Sequence, residues 1–207
     1  LTAAATVRIG NPQIGCFDFH KGGPKFNDGG PVGTKDWLPS EEAMLQTAFQ
    51  RRLGTSAMYL TELCRGGQIP IFRAASDASY GAFVTTFEGK PAVIFYQPSF
   101  QYGPDSLEYT ISHEFGHVYD ALTGSVKRKS FMTIKTDGSC YTYPLSERCK
   151  EAYPYERESF AEGMALYVVG KTYAFKSLGG LYTPFSPTGK YSKEYNWYKT
   201  EVFGKEF

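Results

Sequence analysis

The hydrophobic period of this chain changes twice, and the changes mark out its elements. In "PSEEAMLQTAFQRRLG" the apolar residues Met44, Leu45, Ala48 and Phe49 recur at helical spacing. Ser40 is placed to cap this helix, Glu41 and Glu42 suit its positive end, and Gly54 suits its stop. A second helical piece covers about residues 56–65 and ends at "RGG". The runs "IPIFRA", "GAFVTTF" and "AVIFYQ" that follow are short, rich in β-branched and aromatic residues, and punctuated by Gly and Pro. They read as three or four strands of a small sheet, with a hairpin turn in "FEGKPAV".

The helical period then returns. "PDSLEYTISHEFGHVYDALTG" reads as one helix, with Pro104 and Asp105 at its start and Gly124 after its end. Residues 123–152 read as a loop. "PYERESFAEGMALYVVG" is a second long helix, with Pro154 near its first turn and Gly170 beyond its last. Residues 1–38 are mostly loop, with one short strand near "CFDF", and the aromatic tail holds one or two further helices. The fold class is α+β in a single domain over residues 1–207. An N-terminal α/β lobe covers 1–103, and a mainly helical lobe covers 104–207.

Charge changes this picture little. The 22 basic residues nearly balance the 21 acidic ones, which gives no reason to expect a nucleic-acid or anionic-membrane partner. No apolar run approaches the roughly 20 residues of a membrane helix. Leu1 opens the sequence without a start methionine or an apolar leader, as expected of a processed or trimmed chain. The four cysteines, Cys16, Cys64, Cys140 and Cys149, include no CxxC pair, so a zinc ribbon is not expected. An even count at irregular spacing fits two disulfides in a secreted protein. Cys140 with Cys149 closes a short loop and leaves Cys16 with Cys64, although spacing alone allows three connectivities.

The chemistry concentrates in His113-Glu114-Phe115-Gly116-His117. Residues four apart on a helix share a face, so both imidazoles reach one ion. Glu114 is turned about 100° from His113 and flanks that ion without ligating it. The stretch thus offers two ligands and a general base. Two of the chain's three histidines lie here. A catalytic zinc usually takes a third protein ligand and keeps one open position. His20 is one option. Glu158 is the better one, because Glu158 and Glu162 lie four apart on a helix otherwise lined with Phe160, Ala161, Met164, Leu166 and Val168. Carboxylates on the inner side of such a helix need partners, and a metal with the outer nitrogen of a ligating histidine would supply them. Glu158 is therefore expected as third ligand, with Glu162 supporting a ligating histidine. One Zn2+ per chain is expected.

HExxH followed by ExxxE on a later helix resembles the gluzincin metallopeptidases. "HEFGHVYD" with "ESFAE" looks most like the catalytic domain of anthrax lethal factor and the related Pro-Pro endopeptidases, over about residues 85–170. The resemblance implies a zincin-like fold, with a small twisted mixed sheet, an active-site helix and a mainly helical C-terminal lobe. It also implies that Asp120 supports the metal ligands. The family has an oxyanion-stabilising tyrosine upstream of the third ligand, at a spacing where this sequence has Glu151. Tyr153 and Tyr155 are nearby and are the candidates for that role.

The expected activity is that of a secreted zinc metalloendopeptidase, with Glu114 as general base. Its partner would be a protein or peptide, bound extended along the strand near Val93 and Gln97 (residues 93–97), read as a sheet edge. A monomer is expected. The alternatives are a narrow-specificity toxin or effector hydrolase, an inactive zincin-fold binding module, and a structural zinc site closed by a fourth protein ligand.

Overall fold

The structure, a computed structural model, describes residues 16–135, 155–170 and 185–207. Three short strands come first: β1 (Phe17–Phe19), β2 (Lys25–Asn27) and β3 (Pro31–Lys35). Helices α1 (Pro39–Arg51) and α2 (Ala57–Leu63) follow. Then come β4 (Ile69–Ala74), β5 (Ala82–Phe87) and β6 (Lys90–Phe95). The remaining helices are α3 (Pro104–Leu122), α4 (Val126–Ile134), α5 (Tyr155–Val169) and α6 (Ser192–Tyr198), which runs into a wide turn at Lys199–Phe203. This is an α+β arrangement, and among the described residues no helix is long and apolar enough to cross a membrane.

The six strands form one mixed sheet in the order β2-β3-β4-β6-β5, with β1 also paired to β4. β4 runs parallel to both β1 and β6, and β5 and β6 form an antiparallel hairpin. The hairpin turns at Glu88 and Gly89, both with positive φ. That is the backbone a two-residue hairpin needs, and Gly89 adopts it without steric cost. Side chains alternate strictly along β6. Val93 and Phe95 enter the main core with the helices, whereas Ala92, Ile94 and Tyr96 join a smaller cluster on the opposite face.

This topology corrects one expectation. β6 carries Val93, yet it lies between β4 and β5, and both neighbours take its backbone hydrogen bonds. The free edge beside it belongs to β5. A strand added at this end of the sheet therefore meets Ala82–Phe87.

Two local readings also change. The cap of α1 is not Ser40. Leu38 takes that position with Pro39 in the first turn, and the Leu38 N–H donates to the Glu41 carboxylate at 3.4 Å. Glu41 also grips the buried Arg73 guanidinium, at 3.1 and 3.0 Å, which ties α1 to the sheet. Part of the expected loop after residue 123 is helical, as α4. Its buried Phe131 packs on Phe160, Trp197 and Tyr198, with ring centres 5.0–5.8 Å apart. One buried anchor is too weak a periodic signal to read as a helix.

Cys16 and Cys64 form a disulfide that joins the start of β1 to the end of α2. Cys140 and Cys149 lie outside the described residues, as do Tyr153 and Glu151.

Candidate metal centre

Helix α3 lies between the sheet and α5, and the two helices cross closely at Gly116. A Cβ built there would stand 2.8 Å from the Ala161 Cα, a backbone atom that cannot swing aside. Only glycine permits this approach, and it lies between the two histidines on one helix and three residues after Glu158 on the other. Gly116→Ala is expected to force the helices apart, costing about 1–3 kcal/mol as an overpacked contact. It should also weaken metal binding by drawing Glu158 away from the histidines. Denaturant unfolding and a metal titration read the two effects, and wild-type values in both would show that the crossing has slack.

The crossing brings His113, His117 and Glu158 together as expected. The two Nε2 atoms are 3.2 Å apart. Glu158 Oε2 lies 3.3 Å from His113 Nε2, and Oε1 lies 3.4 Å from His117 Nε2. An ion bound tetrahedrally at about 2.0–2.1 Å separates its donors by about 3.3–3.4 Å. The two imidazole nitrogens match that separation, the Glu158 carboxylate sets one oxygen against each of them, and one ligand atom from each of the three residues lies within 4.8 Å of the others, so the residues fit a divalent ion with a position left for another ligand.

Glu162 acts on His113 from behind. Its carboxylate lies 3.1 Å from His113 Nδ1. An ionised carboxylate only accepts, so Nδ1 carries the hydrogen and Nε2 faces the centre. Burial disfavours a charged His113. The hydrogen bonds to Glu158 and Glu162, together with the charges of Glu114 and Glu162, outweigh it and hold the imidazole pKa well above its ordinary value. Burial also opposes the charge on Glu158, but the hydrogen bonds from both histidines prevail and hold its carboxyl well below the usual range.

Glu114 is buried beside the triad and lines the cavities on both sides of it. Desolvation raises its pKa. The histidine charges oppose that rise, and Glu158 and Asp28 reinforce it.

The remaining candidates fare differently. Asp120 is buried near His117, whose charge acts on it, but its carboxylate pairs with Arg128 at 3.3 Å and stands 4.0 Å from Arg157. His117 Nδ1 is buried and has no hydrogen-bond partner among the described residues. The expected support of a metal ligand by Asp120 is thus electrostatic, without a hydrogen bond to the ring. Tyr155 lies in the first turn of α5 with the Lys135 ammonium 5.9 Å from its ring, and it lines neither cavity. His20 sits on Phe72, 4.8 Å between ring centres, with its Nε2 2.9 Å from Asp18, and is not part of the metal cluster.

Sequence reasoning missed two residues of the centre. Tyr80, in the loop before β5, lines both cavities, and its hydroxyl donates to Asp28. Arg157 lines the cavity on the His117 side. No local pattern marks either one, although Arg157 is the immediate neighbour of Glu158. Compared with protein-family models, with curated proteins and with solved structures, the chain matches none of them.

Proposed function

We propose that this chain is a secreted zinc-dependent endopeptidase of the gluzincin type, with a zincin-like fold and one Zn2+ held by His113, His117 and Glu158. The observation that carries this reading is the convergence of His113 Nε2, His117 Nε2 and the Glu158 carboxylate, which sets one oxygen 3.3 Å from the first imidazole and the other 3.4 Å from the second, with Glu114 buried beside them. Zinc bound there supplies Lewis acidity, which polarises a peptide carbonyl and acidifies water. Glu114 takes the proton of the attacking water, and its raised pKa makes it a stronger acceptor near neutrality than an ordinary carboxylate. Oxygen adds to the carbonyl carbon, the C–N bond breaks, and the proton returns from Glu114 to the leaving amine. Glu162 keeps His113 Nε2 turned inward. The free edge of β5 lines both cavities through Ala82 and offers backbone groups to an extended peptide. Tyr109 lines the cavity beside the triad and is the candidate phenol for the developing oxyanion, since the Tyr80 hydroxyl donates to Asp28. The Cys16–Cys64 disulfide supports an oxidising, extracellular setting.

A peptide-library cleavage profile, with and without a chelator, tests the reading. Cleavage that chelation abolishes and zinc restores is expected. Cleavage of one protein alone would favour a narrow-specificity effector. Zinc binding without any hydrolysis would favour a binding module.

Zinc affinity should fall as pH falls, with a specific onset. A ligating imidazole must be neutral, so protons compete with the ion. Because the pKa of His113 is held above its ordinary 6.5, the competition begins above that pH. Competition titrations between pH 5 and 8 check the sign. Affinity that stayed flat down to pH 6 would exclude His113 as a ligand.

A further inference from the structure

We propose that Arg157 selects peptides carrying an acidic side chain beside the cleaved bond, on the His117 side of the site. The inference rests on the peptidase reading and adds a substrate class to it.

The cavities flanking the triad differ in charge. The one reached from Tyr109 and Ser106 is lined by hydroxyls, aromatics, carboxylates and His113, with no Arg or Lys among the described lining residues. The one on the His117 side, about 350 Å³, has one Arg or Lys among its described lining residues, Arg157. Its opposite wall is the edge strand, through Ala82, Phe83 and Val84. Arg157 is 42 % exposed, and its nearest carboxylate among the described residues is Asp120, at 4.0 Å from Nε. Asp120 is held more closely by Arg128, at 3.3 Å. The guanidinium thus faces the cavity with a weak internal partner.

A peptide lying along β5 sends alternate side chains away from the strand. One next to the triad enters a space with apolar walls and a guanidinium at its far side. A Glu side chain fits both: its methylenes lie against the face of β5 that carries Ala82 and Val84, and its carboxylate matches the planar fork of the arginine. A basic side chain there meets like charge and is rejected. A charge-assisted contact in a half-exposed setting corresponds to a preference of about tenfold for Glu over Gln.

The test uses a randomised dodecapeptide mixture in two arms. Zinc-loaded protein with Arg157 intact, Arg157→Lys, Arg157→Gln or Arg157→Glu is profiled by mass spectrometry of the products. The same mixture is enriched on immobilised zinc-loaded Glu114→Gln protein, with and without Arg157→Glu, which reads binding without turnover. Acidic residues enriched about tenfold at one position, kept in Arg157→Lys, lost in Arg157→Gln and turned towards Lys in Arg157→Glu, would support the proposal. The same acidic enrichment in all variants, or none in the wild type, would overturn it. Absence of all cleavage would sink the peptidase reading, and the binding arm would still decide for or against Arg157. Zinc stoichiometry separates a folded Arg157→Glu from a collapsed one, and Arg157→Gln carries the test if that variant fails.

Discussion

Replacing Glu114 with Gln is expected to lower kcat by about 10²–10⁴-fold while one zinc ion stays bound per chain. Gln keeps the size and hydrogen-bonding reach of Glu but cannot take a proton. Glu114 is not among the three donors that converge on the metal position, so the ion should remain. It is buried where the charges of both histidines act on it, and it lines both cavities beside the triad, which suits it to take a proton there. The paired readout matters, because loss of activity together with loss of metal would indicate a ligand. A variant with full zinc and full proteolysis would remove Glu114 from the mechanism.

Replacing Cys16 and Cys64 together with Ser is expected to cost about 4 kcal/mol of stability, equivalent to a Tm lower by about 8–16 °C for a chain of this size. The cysteines are 48 residues apart, and freeing a loop of that length returns substantial entropy to the unfolded chain. The bridge also secures a strand next to the metal centre. Phe17, one residue after Cys16, packs 4.4 Å from Phe49 and 4.9 Å from Phe115 between ring centres, and Phe115 lies between the two histidines. The Cys-to-Ser pair is preferable to a reductant, which would also act on Cys140 and Cys149. Thermal unfolding of the double variant decides it, and an unchanged Tm would mean that the β1–β4 pairing holds this segment unaided.

What the sequence made legible follows periodicity and fixed spacing. Helices α3 and α5 were readable from their apolar rows and from the Pro and Gly residues at their ends. His113, His117, Glu158 and Glu162 were readable because spacing by four places a pair on one helical face. The β5–β6 hairpin was readable from "EGK". Properties that belong to no single element were not. Which strand forms the sheet edge depends on the order of pairing, and nothing inside "AVIFYQ" declares that β4 and β5 cover it on both sides. Helix α4 escaped notice because its one buried residue, Phe131, leaves no row to count. Tyr80 and Arg157 reach the centre through the packing of a loop and a helix that lie far apart in sequence.

His113, His117 and Glu158 together are expected to hold one zinc ion. Zinc titration of the wild-type chain beside Glu158→Ala decides whether they do. One tight site per chain in the wild type, lost or weakened by at least tenfold in a folded Glu158→Ala, is the expected result. A wild-type chain that binds no zinc, or a Glu158→Ala chain that binds it equally well, would contradict it.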